Sequence, residues 1–173
     1  MKTLQFNDAG ELIIQPSATS SPNDFDFYVG KWNVRNKKLK TRMNNNDEWL
    51  EFDATAQMHK TLNGTANHER IFANFDGQPF EGMAVRLFNP QTKLWTIYWA
   101  DSKSCVMDTP VVGSFEGPIG EFFAKDKFNG KDIIMLYRWD ATDTENLIWS
   151  QAFSPDNGQT WEWNWYMYFS KAS

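Results

Sequence analysis

A chain of 173 residues with 41% hydrophobic content has enough apolar material for one well-buried core, and no break in composition divides it. Its net charge of −5 opposes the polyanionic backbone of nucleic acid, and no apolar run reaches the length that spans a bilayer. Cys105 is the single cysteine, which excludes an internal disulfide, and 1–22 holds no apolar stretch of signal-peptide length, so a cytoplasmic location is expected.

The aromatic share is 16%, with nine Trp and fourteen Phe, and residues of this kind favour half-buried strands. Residues 1–24 are rich in Gln, Ser, Pro and Asn apart from Leu12-Ile13-Ile14, and read as an arm lying on a domain over 25–173. From Phe25 onward, apolar segments alternate with turn clusters at 44–47, Asn63-Gly64, Asp76-Gly77, Asn89-Pro90, Asn129-Gly130 and 155–159. Such spacing predicts an antiparallel meander.

The first long strand, 31–43, carries Lys31, Arg35, Lys37, Lys38, Lys40 and Arg42 with no acid among them. With 44–47 as the loop, Met43 opposes Glu48, and the ladder then sets Arg42 against Trp49, Lys40 against Glu51, Lys38 against Asp53 and Trp32 against His59. The parity that buries Trp32 also carries Lys38 and Lys40 inward. Either a bulge or the barrel rim turns these charges to solvent, or part of the ladder reaches the lumen, where unpaired positive charge would recruit a carboxylate.

In 80–88, Gly82, Ala84, Arg86 and Phe88 share a face. If that face is internal, Arg86 needs a carboxylate, for which Glu51 and Asp101 are the candidates; otherwise it lies on the outer surface. In 93–101, Trp95, Ile97, Trp99 and Asp101 form the larger and therefore inward set, and 102–110 is a candidate lid or portal loop.

The hairpin 145–169 is the most informative segment. Its turn, Ser154-Pro155-Asp156-Asn157-Gly158-Gln159-Thr160-Trp161, matches the Asp-box pattern S-x-D-x-G-x-T-W. Sialidases carry several copies of that motif on propeller blades, whereas one copy reads as a hairpin lock. Pairing across it sets Phe153 against Trp161, Gln151 against Trp163 and Trp149 against Trp165, a face too aromatic to leave in water. Gln151 is carried inward with them and is expected to be the interior polar group.

Eight to ten strands of this length predict an all-β fold, an antiparallel up-and-down barrel, with a two-sheet sandwich as the alternative. Its interior is either packed solid or hollow. If hollow, the expected lining is Trp32, Glu51, Arg86, Trp99, Asp101, Tyr137, Trp139, Trp149, Gln151 and Trp163. The function read from this lining is binding of a small hydrophobic or amphipathic molecule, acidic or aromatic ones included. A cofactor-independent lyase or isomerase is the alternative, with Glu51 as base, Arg86 as anion binder and Tyr137 as proton donor. A filled barrel would instead suit a structural module that dimerises through an outer patch such as Tyr98, Tyr166 and Tyr168. His59 and His68 do not make a metal signature, and no cofactor motif is present.

Phe25-Asp26-Phe27-Tyr28-Val29-Gly30-Lys31-Trp32 resembles the opening of lipocalin-like proteins, whose G-x-W begins the first barrel strand. Together with Glu48-Trp49, Leu62-x-Gly64, Phe88-x-Pro90 and the segments 95–102, 110–115 and 149–165, it resembles an uncharacterised family of bacterial calycin-like proteins over about residues 25–170. The resemblance implies a barrel that binds small apolar or amphipathic molecules. It carries over no catalytic residue, and the chain is expected to depart from secreted lipocalins, since 1–22 holds no apolar stretch of signal-peptide length and there is no cysteine pair.

Overall fold

The computed structural model describes residues 3–75 and 77–172; Asp76 of the expected Asp76-Gly77 turn lies outside the described residues. Ten strands close into one antiparallel barrel: β3 Gly30–Leu39, β4 Trp49–Thr61, β5 Ala66–Phe75, β6 Gln78–Asn89, β7 Leu94–Asp101, β8 Val111–Glu116, β9 Ile119–Phe128, β10 Lys131–Asp140, β11 Asn146–Ser154 and β12 Glu162–Lys171. Each strand pairs with its sequence neighbour, and β12 returns to β3, so the meander has no free edge. The up-and-down barrel expected from turn spacing is therefore present, and the sandwich is not. Among the described residues no helix is long and apolar enough to cross a membrane.

Two short strands precede the barrel, β1 Gln5–Phe6 and β2 Leu12–Ile13, paired as a hairpin. Leu4, Phe6, Leu12 and Ile14 from this hairpin cover Phe123, Ile134, Leu136 and Ala152, which are apolar side chains on the outside of β9, β10 and β11. Without the hairpin that patch would face water.

The chain then crosses one end of the barrel. Trp95 Nε1 donates to Ser21 O and to Asp24 Oδ2, both at 3.2 Å, and a 3-10 turn at Asp26–Tyr28 drives three aromatic rings into the barrel end. The Phe25 ring centre lies 4.9 Å from that of Phe115 and 5.0 Å from that of Trp95, both edge-on. Trp32 seals the same end with Nε1 donating to Tyr28 O at 2.9 Å. Nearby, β8 presses so closely on β9 that a Cβ at Gly113 would lie 1.9 Å from the Glu121 carbonyl oxygen, which is why glycine stands there.

Two registers differ from the sequence expectation. In the first hairpin Leu39 opposes Trp49, Lys38 opposes Leu50 and Trp32 opposes Ala56, because the loop is longer than 44–47 and closes with Lys40 N donating to Glu48 O at 2.9 Å. The Glu162 carboxylate clamps this loop by accepting Met43 N–H at 3.0 and 2.8 Å. In the second hairpin Trp149 opposes Met167 and Gln151 opposes Trp165, and a bulge then puts Ala152 opposite Trp163. Asn164 is the extra residue. A bulge reverses side-chain parity, so Trp165 points inward while Trp161 and Trp163 point outward against the Phe123–Leu136 patch. The expected inward face thus keeps Trp149, Phe153 and Trp165 and loses Trp161 and Trp163.

The turn between β11 and β12 has the bonding that the Asp-box pattern implies. The Asp156 carboxylate accepts Thr160 N–H at 2.8 Å and the Thr160 hydroxyl at 2.6 Å, Gly158 takes φ +89°, and Trp161 Nε1 donates to Gly158 O at 3.1 Å. Those bonds, led by the one from Thr160, hold the Asp156 carboxyl down at about 2.

Candidate functional site

The barrel is neither solid nor fully hollow. Its sealed half is filled by Phe25, Tyr28, Trp32, Trp95, Phe115, Phe122 and Trp139, while the other half encloses a cavity of about 200 Å3. The apolar wall of that cavity comprises Trp99, Trp139, Trp149 and Trp165 with Ile71, Ala84, Ile97, Met167 and Phe169. Polar groups enter it from Lys38, Arg42, Glu69, Arg86, Asp101, Asp108, Tyr137 and Gln151.

At the floor, Arg86 and Glu69 form an ion pair with side chains only 3% exposed. Tyr28 Oη donates to Glu69 Oε1 at 2.6 Å, and Arg86 Nη1 donates to Asn67 Oδ1 at 3.0 Å, so the charges are satisfied within the floor; Arg86 Nε finds no partner among the described residues. Burial and the Glu69 charge push the Tyr28 phenol well up, which keeps it a donor. The guanidinium also lies 5.0 Å from the Phe25 ring centre and 5.6 Å from that of Trp139, a cation–π setting that joins the floor to the aromatic plug.

At the mouth the balance differs. Lys38 Nζ sits over the Trp165 ring at 3.7 Å, and the Arg42 guanidinium lies 4.8 Å from the Phe128 ring centre and 5.4 Å from that of Phe153. Neither cation makes an ion pair or hydrogen bond with a described residue through its side chain. Burial, reinforced by the Arg42 and Lys103 charges and offset in part by Asp101, lowers the Lys38 ammonium to about 8. Asp101 itself is occupied. Burial would raise its carboxyl, but backbone N–H groups of Ser104 and Lys103, each donating at 2.9 Å to Oδ1, outweigh that and hold it low. Burial and the charges of Asp101 and Asp126 raise the Asp108 carboxyl. The Tyr137 phenol, buried in the wall, is likewise pushed up and stays protonated.

Of the residues expected to line the lumen, Arg86, Trp99, Asp101, Tyr137, Trp139, Trp149 and Gln151 do converge on this cavity. Three do not. Trp32 lies in the sealed end, and Trp163 faces outward beyond the bulge. Glu51 is on the outer wall, where its carboxylate takes a 2.6 Å ion pair from Arg35, because the true register turns it away from Lys40. The base of the expected lyase or isomerase is thereby removed from the lumen, and the partner of Arg86 is Glu69 rather than Glu51 or Asp101. Lys38 lies inside, whereas Lys40 pairs with Glu48 at the rim. Glu69 escaped sequence reasoning, although its alternation with Ile71 on a strand facing Arg86 was the available signal.

Gln151 is interior, but it shares the interior with charged groups that are equally buried. Its Nε2 donates to Asn164 Oδ1 at 2.8 Å, which ties the cavity wall to the bulge residue. Gln151→Leu leaves the buried Asn164 oxygen without that donor, so the variant is expected to lose about 1–3 kcal/mol in urea unfolding. An unchanged unfolding midpoint would mean that this amide bond is not a strut.

A larger concavity, about 880 Å3, lies open on the outer wall and is bordered by Arg35, Asp53, Phe72, Asn74, Ile148 and Tyr168. Its charges neutralise each other or face solvent, and nothing encloses it, so the smaller lumen is the better candidate site. The expected outer patch of Tyr98, Tyr166 and Tyr168 does not form: Tyr166 and Tyr168 stack at 6.3 Å on β12, while Tyr98 stands on β7, far round the barrel. His59 and His68 face each other across β4 and β5 with ring centres 5.5 Å apart on the outer wall. No protein-family model matches this sequence, and no curated protein matches it.

Proposed function

We propose that the chain binds a small molecule with a compact apolar or aromatic body and an anionic group in the open half of the barrel. One observation carries this reading: Lys38 and Arg42 project into a tryptophan-walled cavity with no ion pair or hydrogen bond to a described residue through their side chains, Asp101 and Glu162 acting on them only through their charge at longer range. Leaving cations in a low-dielectric site is unfavourable, and a bound carboxylate or similar anion relieves it with charge-assisted hydrogen bonds. Size narrows the class. Since a dry cavity of about 150 Å3 accepts benzene, 200 Å3 suits one ring with a substituent, not a long-chain fatty acid.

The test is tryptophan fluorescence titrated with benzoate and with its neutral counterpart benzamide. Benzoate should bind at least about tenfold more tightly, the effect of one charge-assisted hydrogen bond; Lys38→Met should weaken that preference, and Lys38→Met with Arg42→Met should erase it. Equal affinity for the two compounds, or no binding of either, would overturn the proposal. The benzoate preference should also fade as pH rises through about 8, where Lys38 loses its proton. In the free protein the same shift acts on stability in the opposite sense. The unfolded chain holds the Lys38 proton up to about 10.5 and the folded chain only to about 8, so stability should rise with pH across that window.

A further inference from the structure

We infer that the Lys38 amine captures the carbonyl carbon of a small oxo-acid as an imine, with Arg42 holding the acid group. The inference rests on the lumen being the binding site and adds a covalent step to it. Lys38 and Arg42 differ from Arg86 and Asp101 in what surrounds them. Arg86 is held by Glu69 and Asn67, and Asp101 by the turn that follows β7. Lys38 Nζ lies over the face of Trp165, makes no ion pair or hydrogen bond with a described residue, and opens on the cavity. A guanidinium cannot act as a nucleophile, so the two mouth cations divide the tasks by their chemistry: Arg42 stays charged, and Lys38 can release its proton.

The groups around Lys38 favour that release. Burial, Arg42 and Lys103 disfavour its charged form, and only Asp101 opposes them, which leaves on the order of a tenth of the amine neutral at pH 7. An exposed lysine at its ordinary value has roughly a few hundredths of one percent.

The step balances without any further reactant. The nitrogen lone pair of the neutral amine adds to the carbonyl carbon, the C=O π pair moves to oxygen, and oxygen takes up one proton while nitrogen gives one up. The resulting carbinolamine then loses its hydroxyl with a second proton as water and loses the remaining N–H proton as C=N forms. Amine and carbonyl become imine and water, with no oxidation or reduction. Asp108, an exposed carboxyl at the mouth that partial burial and the charges of Asp101 and Asp126 raise, lines the same cavity and is the group placed to relay the proton. Trp99, Trp149 and Trp165 limit water around the product, which protects the imine from hydrolysis.

The test treats the full chain with 3-formylbenzoate or 4-formylbenzoate, reduces any imine with borohydride, and maps the modified lysines by mass spectrometry. Lys38 should be modified at least about tenfold faster than Lys31, Lys93 or Lys131, excess benzoate should suppress the reaction, and Lys38→Met should remove the fast adduct. Selectivity in the unaltered chain is readable even if the variant folds poorly. Adducts spread over exposed lysines with Lys38 spared would overturn the inference. If benzoate binds by fluorescence but Lys38 stays unmodified, imine formation fails and the binding reading stands. If benzoate does not bind and Lys38 is also unmodified, both fail. Uncharged benzaldehyde labelling Lys38 as fast as the formylbenzoates would overturn the role of Arg42.

Discussion

Glu69→Leu should destabilise the barrel by about 3–5 kcal/mol in urea unfolding, because it strands the Arg86 guanidinium in a site where that side chain is 3% exposed. One further bond depends on Glu69, which accepts from Tyr28 Oη at 2.6 Å, while its partner Arg86 also donates to Asn67. The loss should come mainly from the abandoned charge and not from the missing attraction. Adding Arg86→Met to Glu69→Leu should therefore recover most of it, since replacing both members by apolar side chains removes the desolvation cost as well. A single variant within about 1 kcal/mol of the parent would show that water reaches Arg86 and that the cavity floor is wet.

Trp139→Ala should cost a similar amount, about 3–5 kcal/mol, and should also change what the lumen accepts. The Trp139 ring centre lies 4.8 Å from that of Tyr28, 5.3 Å from that of Phe169 and 6.1 Å from that of Phe25, so it is the common neighbour of the plug. Its other side belongs to the cavity. Removing the indole joins the packed half to the open half, and two-ring carboxylates that the parent excludes should then bind in competition with benzoate. Lost stability with unchanged ligand size would mean that the plug collapses into the space, or that the binding site is elsewhere.

Much of this architecture is legible in the sequence for a simple reason. Turn chemistry is local, and Asn-Gly pairs, Asn89-Pro90 and the Asp box mark the strand ends without any knowledge of partners. The alternation of Trp95, Ile97, Trp99 and Asp101 likewise survives because β7 contains no bulge among these residues. Register is less accessible. The single extra residue Asn164 reverses Trp161 and Trp163, and nothing in the segment marks it, since Trp-x-Trp-x-Trp reads as unbroken alternation. The loop before β4 is misread for a related reason: the Met43–Glu162 clamp that holds it open joins residues far apart in the chain.

The same limit explains the candidate site. Arg86 demands a carboxylate on electrostatic grounds, yet its identity depends on how β5 lies between β4 and β6. Pairing puts Glu69 opposite Ala84, one inward position from Arg86, and leaves Glu51 on the far side of its own strand. Lys38 is the converse case. Its parity with Trp32 already placed it inside, and the conflict between a buried tryptophan and a buried lysine was not an error to be resolved by a bulge but the mark of the cavity.

The most direct measurement is a crystal structure of the chain soaked with 4-bromobenzoate, read from the anomalous signal of bromine. One bromine peak is expected within the lumen among Trp99, Trp139 and Trp149, with the carboxylate toward Lys38 and Arg42. A bromine peak in the outer groove beside Phe72 and Tyr168, or a lumen holding water alone at saturating ligand, would contradict it.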